Sequence, residues 1–360
     1  MIDAIPYLRT GRAPLVREAL DRLDEGDREG ALVALLADQD DWWGGPPADT
    51  DRLRALVRRA DRLRLREAMD HLGFGRVGDY FAHRWSDPTY LAGLALVEAH
   101  RPWPLDRRPA PRAFELACGI GHHLWALGQR GLEVAGADVV FAKLWLARHW
   151  VLGEGPALTC FDAASPWPVG GGYDLVLCHD AFYFLEPKAE ILERLRGLLA
   201  AGGWLAVGHV HNRERPGFSA GAAVTADEVE ALFPDGVVYD DAELTRALVE
   251  ERAPVPATPG ALRGVEAFSV AAGPGLDRQP RPLHDGLALP PPGRALRRNP
   301  LYAPADGGFA VRWPSERYAE EYGPLATYPP RSRAPEHLAS REGAEEMARR
   351  RELVDLPERW

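Results

Sequence analysis

A glycine-rich turn carries the strongest chemical signal in this sequence of 360 residues. In the stretch FELACGIGH, residues 114–122, a run typical of a buried strand ends in an acid and enters the turn. Glycine at 119 and 121 lets backbone N–H groups approach a ligand that a Cβ atom would exclude. The nicotinamide fingerprint G-x-G-x-x-G would require glycine at position 124, where the chain has Leu124. Glu115 has no role in that fingerprint, so both details disfavour a nicotinamide site.

The turn resembles the first motif of class I S-adenosylmethionine-dependent methyltransferases, in which strand one ends in acid-x-Gly-x-Gly-x-Gly around the cofactor. Ala117 stands in the first glycine position, a small departure because alanine is nearly as small. The resemblance implies that Glu115 organises the turn near the methionine amino group. It also implies that Ala117, Gly119 and Gly121 lie against S-adenosylmethionine.

Two further acids end apolar runs. Asp138 closes the run LEVAGAD, 17 residues after Gly121, near the spacing at which an acid reaches ribose hydroxyls. The segment CFDAASPWPV is similar to the third motif of the family. That resemblance implies that Asp162 accepts a hydrogen bond from the adenine amino group, while Phe161 and Ala163 flank the ring.

The segment YDLVLCHDAFYFLEP resembles the family's fourth motif, where a strand end faces both cofactor and substrate, and this implies a place for Cys178 in the cofactor site. Methyl transfer is a displacement at an activated sulfonium carbon, so the protein mainly aligns the nucleophile and removes its proton. The candidates for that base are His179, Asp180 and Tyr183. An imidazole suits neutral pH, although His179 could equally cap the strand end.

Histidines are concentrated where open α/β sheets bind ligands, at the carboxyl ends of the predicted strands. The five in question are His122, His123, His179, His209 and His211. His209 and His211 are two residues apart, which places both on one face of a strand. With Asp180 and Asn212 they could form a metal site. We expect instead a polar lining of a substrate pocket and no metal ion.

Short apolar runs alternate with helical stretches after residue 113, which predicts a parallel sheet with helices on both faces. The runs are AFELA, LEVAGAD, ALTCFD, YDLVLC, WLAVGHV and AFSVAAG. One connecting helix is predicted over 187–201, ended by Gly202-Gly203, and another from Thr225, whose spacing to Glu228 is that of a capping box. The family resemblance implies an α/β fold with a Rossmann-like, doubly wound, mostly parallel sheet of seven strands.

We predict three parts for the chain: a mainly helical cap and substrate region over 1–105, an S-adenosylmethionine-binding methyltransferase core over 106–273, and a Pro-rich extended arm with a short helix over 274–360. Aromatic side chains before the core are expected to form a lid or substrate wall, or to pack between the first two parts. They are Tyr80, Phe81, His83, Trp85 and Tyr90.

The arm is too Pro-rich to build a core of its own, and its one helix is predicted near 335–353. Its aromatic residues nevertheless predict an ordered segment, because disordered tails are usually poor in aromatics. These residues are Trp313, Tyr318, Tyr322 and Tyr328. We expect them to pack on the core, or on a second subunit if the protein is a homodimer.

The composition of the chain limits the classes of binding partner to expect. The net charge of -10 argues against nucleic acid, since no general basic field would gather a polyanion. No window approaches the ~20 apolar residues of a spanning helix, so we expect no membrane partner and a cytoplasmic location. The cysteines lack the CxxC spacing of a zinc site, and their odd number argues against a disulfide framework. The scarcity of lysine beside abundant arginine, alanine, glycine and proline is typical of GC-rich bacterial genomes.

The sequence therefore predicts an enzyme that uses S-adenosylmethionine to methylate oxygen or nitrogen of a small or medium-sized metabolite. Two alternatives stay open at this point. One is a non-catalytic binding protein that keeps the fold, and the other is a nicotinamide-dependent oxidoreductase. A protein acceptor is a further open variant of the first prediction.

Overall fold

The computed structural model describes residues 1–41, 43–215, 221–284 and 286–360, and its first hundred residues are mainly helical. The helices of this cap are α1 (Ala13–Asp24), α2 (Arg28–Leu36), α3 (Thr50–Arg59), α4 (Leu65–His71), α5 (Arg76–His83) and α6 (Pro88–His100). Asp27 and Asp49 begin α2 and α3 as N-caps, because their carboxylates accept otherwise unpaired backbone N–H groups.

Helix α6 connects the cap to the rest of the molecule. Pro88 stands in its first turn, where a missing N–H costs nothing, and the Asp87 carboxylate accepts a hydrogen bond from the Tyr90 N–H at 2.7 Å. All 13 residues of α6 are buried, because the helix packs on the strands of the central sheet. A helix that is apolar all round belongs inside a protein.

The central sheet has seven strands in the order β3-β2-β1-β4-β5-β7-β6. They are β1 (Arg112–Leu116), β2 (Glu133–Asp138), β3 (Ala157–Cys160), β4 (Tyr173–His179), β5 (Leu199–His211), β6 (Val237–Asp240) and β7 (Ala267–Ala272). Strand β7 is antiparallel to both of its neighbours, and the first five strands are parallel. The predicted Rossmann-like, mostly parallel α/β fold is confirmed.

Helices cover both faces of this sheet. They are α7 (His122–Gln129), α8 (Phe141–Leu146), which continues as a π-helical segment over Ala147–Leu152, α9 (Lys188–Gly197), α10 (Ala226–Leu232), α11 (Asp241–Val249) and α12 (Pro259–Leu262). The capping box at α10 is confirmed, since Thr225 Oγ accepts from the Glu228 N–H and the Glu228 carboxylate accepts from the Thr225 N–H. One apolar cluster on the cap side of the sheet runs from Ile2 to Leu356, and a second fills the other side.

The prediction that Gly202-Gly203 end a helix at residue 201 was wrong. Helix α9 ends at Gly197, and the two glycines lie inside β5, where the register to β4 shifts between Tyr173 and Leu175. A Cβ atom on Gly203 would lie 2.5 Å from the Tyr173 carbonyl oxygen, so the bulge requires glycine.

The C-terminal segment is more structured than predicted. It contains β8 (Leu296–Arg298), β9 (Tyr302–Ala305), β10 (Gly308–Val311), α13 (Glu316–Tyr322), β11 (Arg331–Ser332), β12 (His337–Leu338), α14 (Glu345–Arg349) and β13 (Leu353–Val354). These strands form two three-stranded sheets. The expectation that this segment has no core of its own was wrong, because Leu289, Leu296, Ala334, Ala348 and Leu353 form a separate buried cluster. The helix predicted near 335–353 is confined to α14.

The aromatic residues of the arm are packed. Tyr318, Tyr322 and Tyr328 are buried in one cluster, and Trp313 is half-buried against it. Further along, Trp360 donates from Nε1 to the Ala82 carbonyl oxygen at 2.9 Å, and Arg359 lies over the Trp150 ring. The arm therefore rests on both the cap and the sheet layer. Whether 105 and 273 are domain boundaries stays a prediction.

Among the described residues, no helix combines the length and the apolar composition that crossing a membrane requires.

Candidate active site

A cavity of about 590 Å³ lies at the carboxyl ends of β1 to β5, where open α/β sheets bind ligands. Its floor comes from the strand ends and the turns after them. The cap contributes Tyr80, Phe81 and Arg84, and the arm contributes Tyr318 and Tyr322. All three parts of the chain thus line one cavity.

Asp138 fixes the glycine-rich turn from the end of β2. Its Oδ2 accepts a hydrogen bond from the Gly119 N–H at 2.9 Å, and its Oδ1 accepts from the Val140 N–H at 2.9 Å. The side chain is buried and faces the cavity, with Lys143 Nζ 3.7 Å from Oδ1. A carboxylate has about four lone-pair sites, so Asp138 keeps acceptor capacity for ligand hydroxyls.

Glu115 lines the cavity and has one unpaired carboxylate oxygen. Its Oε1 accepts from His123 Nδ1 at 3.1 Å. Its Oε2 is buried and has no hydrogen-bond partner among the described residues. An unpaired buried carboxylate oxygen is costly, so this position fits a positively charged or N–H donor of a bound ligand.

Of the predicted residues in the glycine-rich turn, two line the cavity and one packs behind it. Ala117 and Gly119 line the cavity, and both have positive φ, of 57° and 56°. Gly121 also has positive φ but lies behind the cavity wall, where a Cβ atom would come 2.7 Å from Leu152 Cδ1. Gly121 therefore shapes the turn by packing against the helix that follows β2.

The residues after β3 line the far end of the cavity. Phe161, Asp162 and Ala163 all face it. The Asp162 Oδ1 accepts from the Ala164 N–H at 2.9 Å, which leaves the other carboxylate oxygen for a ligand. Cys178 does not reach this cavity, because its side chain is buried in the apolar cluster on the other side of the sheet. Burial raises the pKa of its thiol.

Asp180 is the centre of a buried polar group at the end of β4. It accepts hydrogen bonds from the hydroxyls of Tyr80 at 2.6 Å and Tyr183 at 2.8 Å, and it pairs with Arg84 at 3.0 Å. Burial alone would raise the pKa of Asp180, but Arg84, His209 and Tyr80 outweigh burial and hold that pKa well below its usual range. Asp180 is therefore an anion that orients two tyrosine hydroxyls.

His179 is held by packing. Its Nε2 donates to the Thr89 carbonyl oxygen at 2.9 Å, and a Cβ atom on Gly208 would lie 2.1 Å from its Nδ1. Burial, together with His123 and Arg84, lowers the pKa of His179 well below its usual value. The ring stays neutral and its two nitrogens face α6 and β5, so its geometry favours a positioning role over proton transfer.

No pattern in the sequence predicted that His209 and Asp241 would form a pair. His209 Nδ1 donates to Asp241 Oδ2 at 2.7 Å, and Ser269 donates to the other carboxylate oxygen. Burial would lower the pKa of His209, but Asp180 and Asp241 raise that pKa to about 9. Next to it, burial and the charge of His209 lower the pKa of His211 to about 4. Asp241 lies beyond β6, and only folding brings it to the end of β5.

The aromatic residues before the core divide between two roles. Tyr80 and Phe81 line the cavity. Trp85 and Tyr90 pack instead on the rings of His122 and His123, and His83 contacts Tyr318 and Trp360. Asn212, the fourth member of the metal alternative, is occupied elsewhere: its amide donates to the Val265 carbonyl oxygen at 2.8 Å and accepts from the Glu214 N–H.

Known methyltransferases are similar to part of this chain. Residues 114–205 match the family model described as a methyltransferase domain. The chain is 25% identical over 177 residues to the ubiquinone biosynthesis O-methyltransferase of Pseudomonas aeruginosa, covering 47% of this chain and 74% of that protein. It is also 25% identical over 154 residues to the glycine N-methyltransferase of Oryctolagus cuniculus, covering 37% of this chain and 48% of that protein. The chain thus spans about half the length of the latter relative.

Solved methyltransferase structures are also similar to the chain. An S-adenosylmethionine-dependent methyltransferase from Mesorhizobium loti is 16% identical, with a TM-score of 0.37, over 51% of this chain and 96% of that one. A Haemonchus contortus phosphoethanolamine N-methyltransferase 2 in complex with S-adenosyl-L-methionine is 20% identical, with a TM-score of 0.38, over 52% of this chain and 49% of that one.

The sheet order and the cavity at its carboxyl edge define a Rossmann-like ligand-binding domain. Within this domain, residues 114–205 match a methyltransferase domain.

The left-handed conformation of Ala117 generates a stability prediction. An L-residue with a Cβ atom pays about 1–2 kcal/mol to adopt this conformation, and glycine does not. We expect Ala117→Gly to raise the free energy of unfolding by up to about 1 kcal/mol, because the greater freedom of glycine in the unfolded chain offsets part of the gain. Chemical denaturation would measure it. Ala113→Gly, a matched change in the extended strand β1, should lower stability instead. Equal losses in both variants would contradict the strained turn.

Proposed function

We propose that this protein transfers the methyl group of S-adenosylmethionine to an oxygen or nitrogen atom of a small or medium-sized metabolite. The observation that carries the proposal is the unpaired buried Oε2 of Glu115 beside the Gly119 turn. This oxygen provides an acceptor for the amino group of the methionine moiety, a charge that a nicotinamide dinucleotide lacks at this position.

The other residues that we assign to the cofactor lie along the cavity wall beyond Glu115. We assign Asp138 to the ribose hydroxyls, since its carboxylate faces the cavity with acceptor capacity left. Asp162 and Phe161 form the adenine end. Ala117 and Gly119 allow the backbone to approach the cofactor closely, whereas Gly121 and Cys178 do not line the cavity.

The acceptor half of the cavity is aromatic. We assign to it six of the aromatic rings that line the cavity: Tyr80, Phe81, Tyr183, Phe184, Tyr318 and Tyr322. Two of these rings come from the cap and two from the arm, so the acceptor is enclosed on sides that the methyltransferase domain itself leaves open. Cavities for small molecules typically hold about 300–1,000 Å³, and this one has to hold the cofactor as well. That size favours a small or medium-sized acceptor over a folded protein.

Catalysis in this site rests mainly on alignment. S-adenosylmethionine supplies an activated methyl group, and no covalent residue is needed. Asp180 holds the Tyr80 and Tyr183 hydroxyls, whose oxygens can in turn bind the acceptor. His179 keeps α6 in place behind them through Thr89. We therefore assign acceptor orientation to Asp180 and Tyr183, and a supporting position to His179.

Calorimetric titration separates this function from its two alternatives. We expect S-adenosylmethionine and S-adenosylhomocysteine to bind at one site per chain, and NAD to give no heat. Asp138→Ala should weaken S-adenosylhomocysteine by about 1–3 kcal/mol, the usual cost of removing a buried hydrogen-bonding partner. Asp235→Ala, at an exposed acid, should bind as the wild type does. Tight NAD binding, or unchanged affinity in a folded Asp138→Ala variant, would contradict the assignment.

Turnover distinguishes an enzyme from a non-catalytic binding protein. The full chain should transfer a trideuterated methyl group from labelled S-adenosylmethionine to a component of a bacterial small-molecule extract, detected by mass spectrometry. Tyr183→Phe keeps the ring and removes the hydroxyl, so we expect slower transfer with unchanged S-adenosylhomocysteine affinity. Cofactor binding without any labelled product across extracts would favour the binding protein.

A further inference from the structure

Two histidines and one carboxylate converge at the wall of the cavity, at the adjoining ends of β4 and β5. One potential ligand atom from each of Asp180, His209 and His211 lies within 4.8 Å of the others. Two ligands at about 2.1 Å from one ion lie at most about 4.2 Å apart, so small side-chain rotations bring the three atoms onto an ion. We propose that Asp180, His209 and His211 bind a divalent first-row transition metal ion.

The chemistry of the donor set selects the metal class. Imidazole nitrogens suit zinc, iron, cobalt and nickel, whereas magnesium and calcium prefer sites built from oxygen ligands. Three protein ligands leave positions open, as catalytic metal sites do and closed structural sites do not. A pocket wall that is merely polar would not need two imidazoles beside the same carboxylate.

The surrounding residues already support these ligands. His209 donates from Nδ1 to Asp241 at 2.7 Å, which leaves Nε2 as its ligand atom. A histidine whose second nitrogen donates to a carboxylate is the usual arrangement of a metal ligand, because the carboxylate fixes the ring and raises its basicity. Asp241 is itself held by the Ser269 hydroxyl. The His211 ring lies 4.7 Å from that of His209 and 4.4 Å from that of Tyr183.

The charges around the three residues favour a bound cation. Asp180 pairs with Arg84, and Arg84 also contacts Asp87 at 3.4 Å. Asp241, which accepts from His209, adds a third carboxylate to this connected group, so its carboxylates outnumber its one guanidinium and a cation at the two histidines would offset the excess. Buried charges are normally paired or bound to metal ions. The Asp180 Oδ2 accepts from Tyr80 and Arg84, and Oδ1 accepts from the Tyr183 hydroxyl, so the ion would take the second lone pair of Oδ1.

The position of the triad suggests what an open coordination site would hold. His209 lines both the main cavity and a second cavity of about 280 Å³, which His211 and Tyr322 also line. An ion here would face the acceptor half of the main cavity. If the proposed methyl transfer is correct, this favours acceptors that offer an oxygen ligand, such as a hydroxyl, a phenol or a carboxylate.

The test uses the untagged full chain, stripped with chelator and titrated with Co²⁺ while its visible absorption bands are followed. We expect one Co²⁺ per chain, displaced by Zn²⁺. His209→Gln and His211→Gln should each abolish stoichiometric binding, and Asp241→Asn should weaken it by about 10–100-fold. His337→Gln, at an exposed histidine in β12, is the matched control and should bind as the wild type does.

S-adenosylhomocysteine affinity, measured on the same variants, keeps the two proposals separate. Retained affinity in His209→Gln and His211→Gln shows that the fold survives the substitution. The metal proposal is overturned if the wild type binds no Co²⁺ at stoichiometric concentration, or if binding persists in both histidine variants. Either result leaves the cofactor assignment intact, because that assignment depends on separate titrations.

Discussion

The buried ion pair between Arg84 and Asp180 is the interaction on which the arrangement of this molecule depends. Arg84 directly follows α5 of the cap, and Asp180 directly follows β4 of the sheet. Removing one member of a buried pair typically costs about 3–5 kcal/mol, because the other charge stays buried without compensation. The pair also reaches Asp87, the N-cap of α6, so one guanidinium links the cap, the buried helix and the strand end.

The same pair determines what the cavity offers to a ligand. Arg84 keeps Asp180 ionised, and the ionised carboxylate holds the hydroxyls of Tyr80 and Tyr183 at the wall of the cavity. The arm then closes the cavity with α13, whose Tyr322 packs near Tyr80. In the proposed function, the part that matches a methyltransferase domain, residues 114–205, holds the cofactor, whereas the cap and the arm supply four of the six rings assigned to the acceptor. The proposal therefore assigns acceptor choice mainly to the cap and the arm.

The sequence was most informative where local pattern alone decides structure. Apolar runs located six strands, and the spacing from Glu115 through Gly119 to Asp138 selected three residues that line one cavity. The strand VVYD was missed because it is a four-residue edge strand in which alternate residues are partly exposed.

Ala117 looked like a neutral replacement for glycine, since side-chain size is visible in a sequence and a positive φ is not. His209 and Asp241 meet through the antiparallel pairing of β7 with β5 and β6, which no local pattern encodes. The small sheets of the arm have strands of two to four residues, too short for any periodicity.

The most direct test of this account is a crystal structure of the full chain with S-adenosylhomocysteine. We expect the amino group of the ligand at Glu115 Oε2, the ribose at Asp138, the adenine between Phe161 and Asp162, and the sulfur directed toward Asp180 and the aromatic half of the cavity. A ligand bound outside this cavity, or one whose sulfur points away from Asp180, would contradict a single methyl-transfer chamber built by the cap, the sheet and the arm.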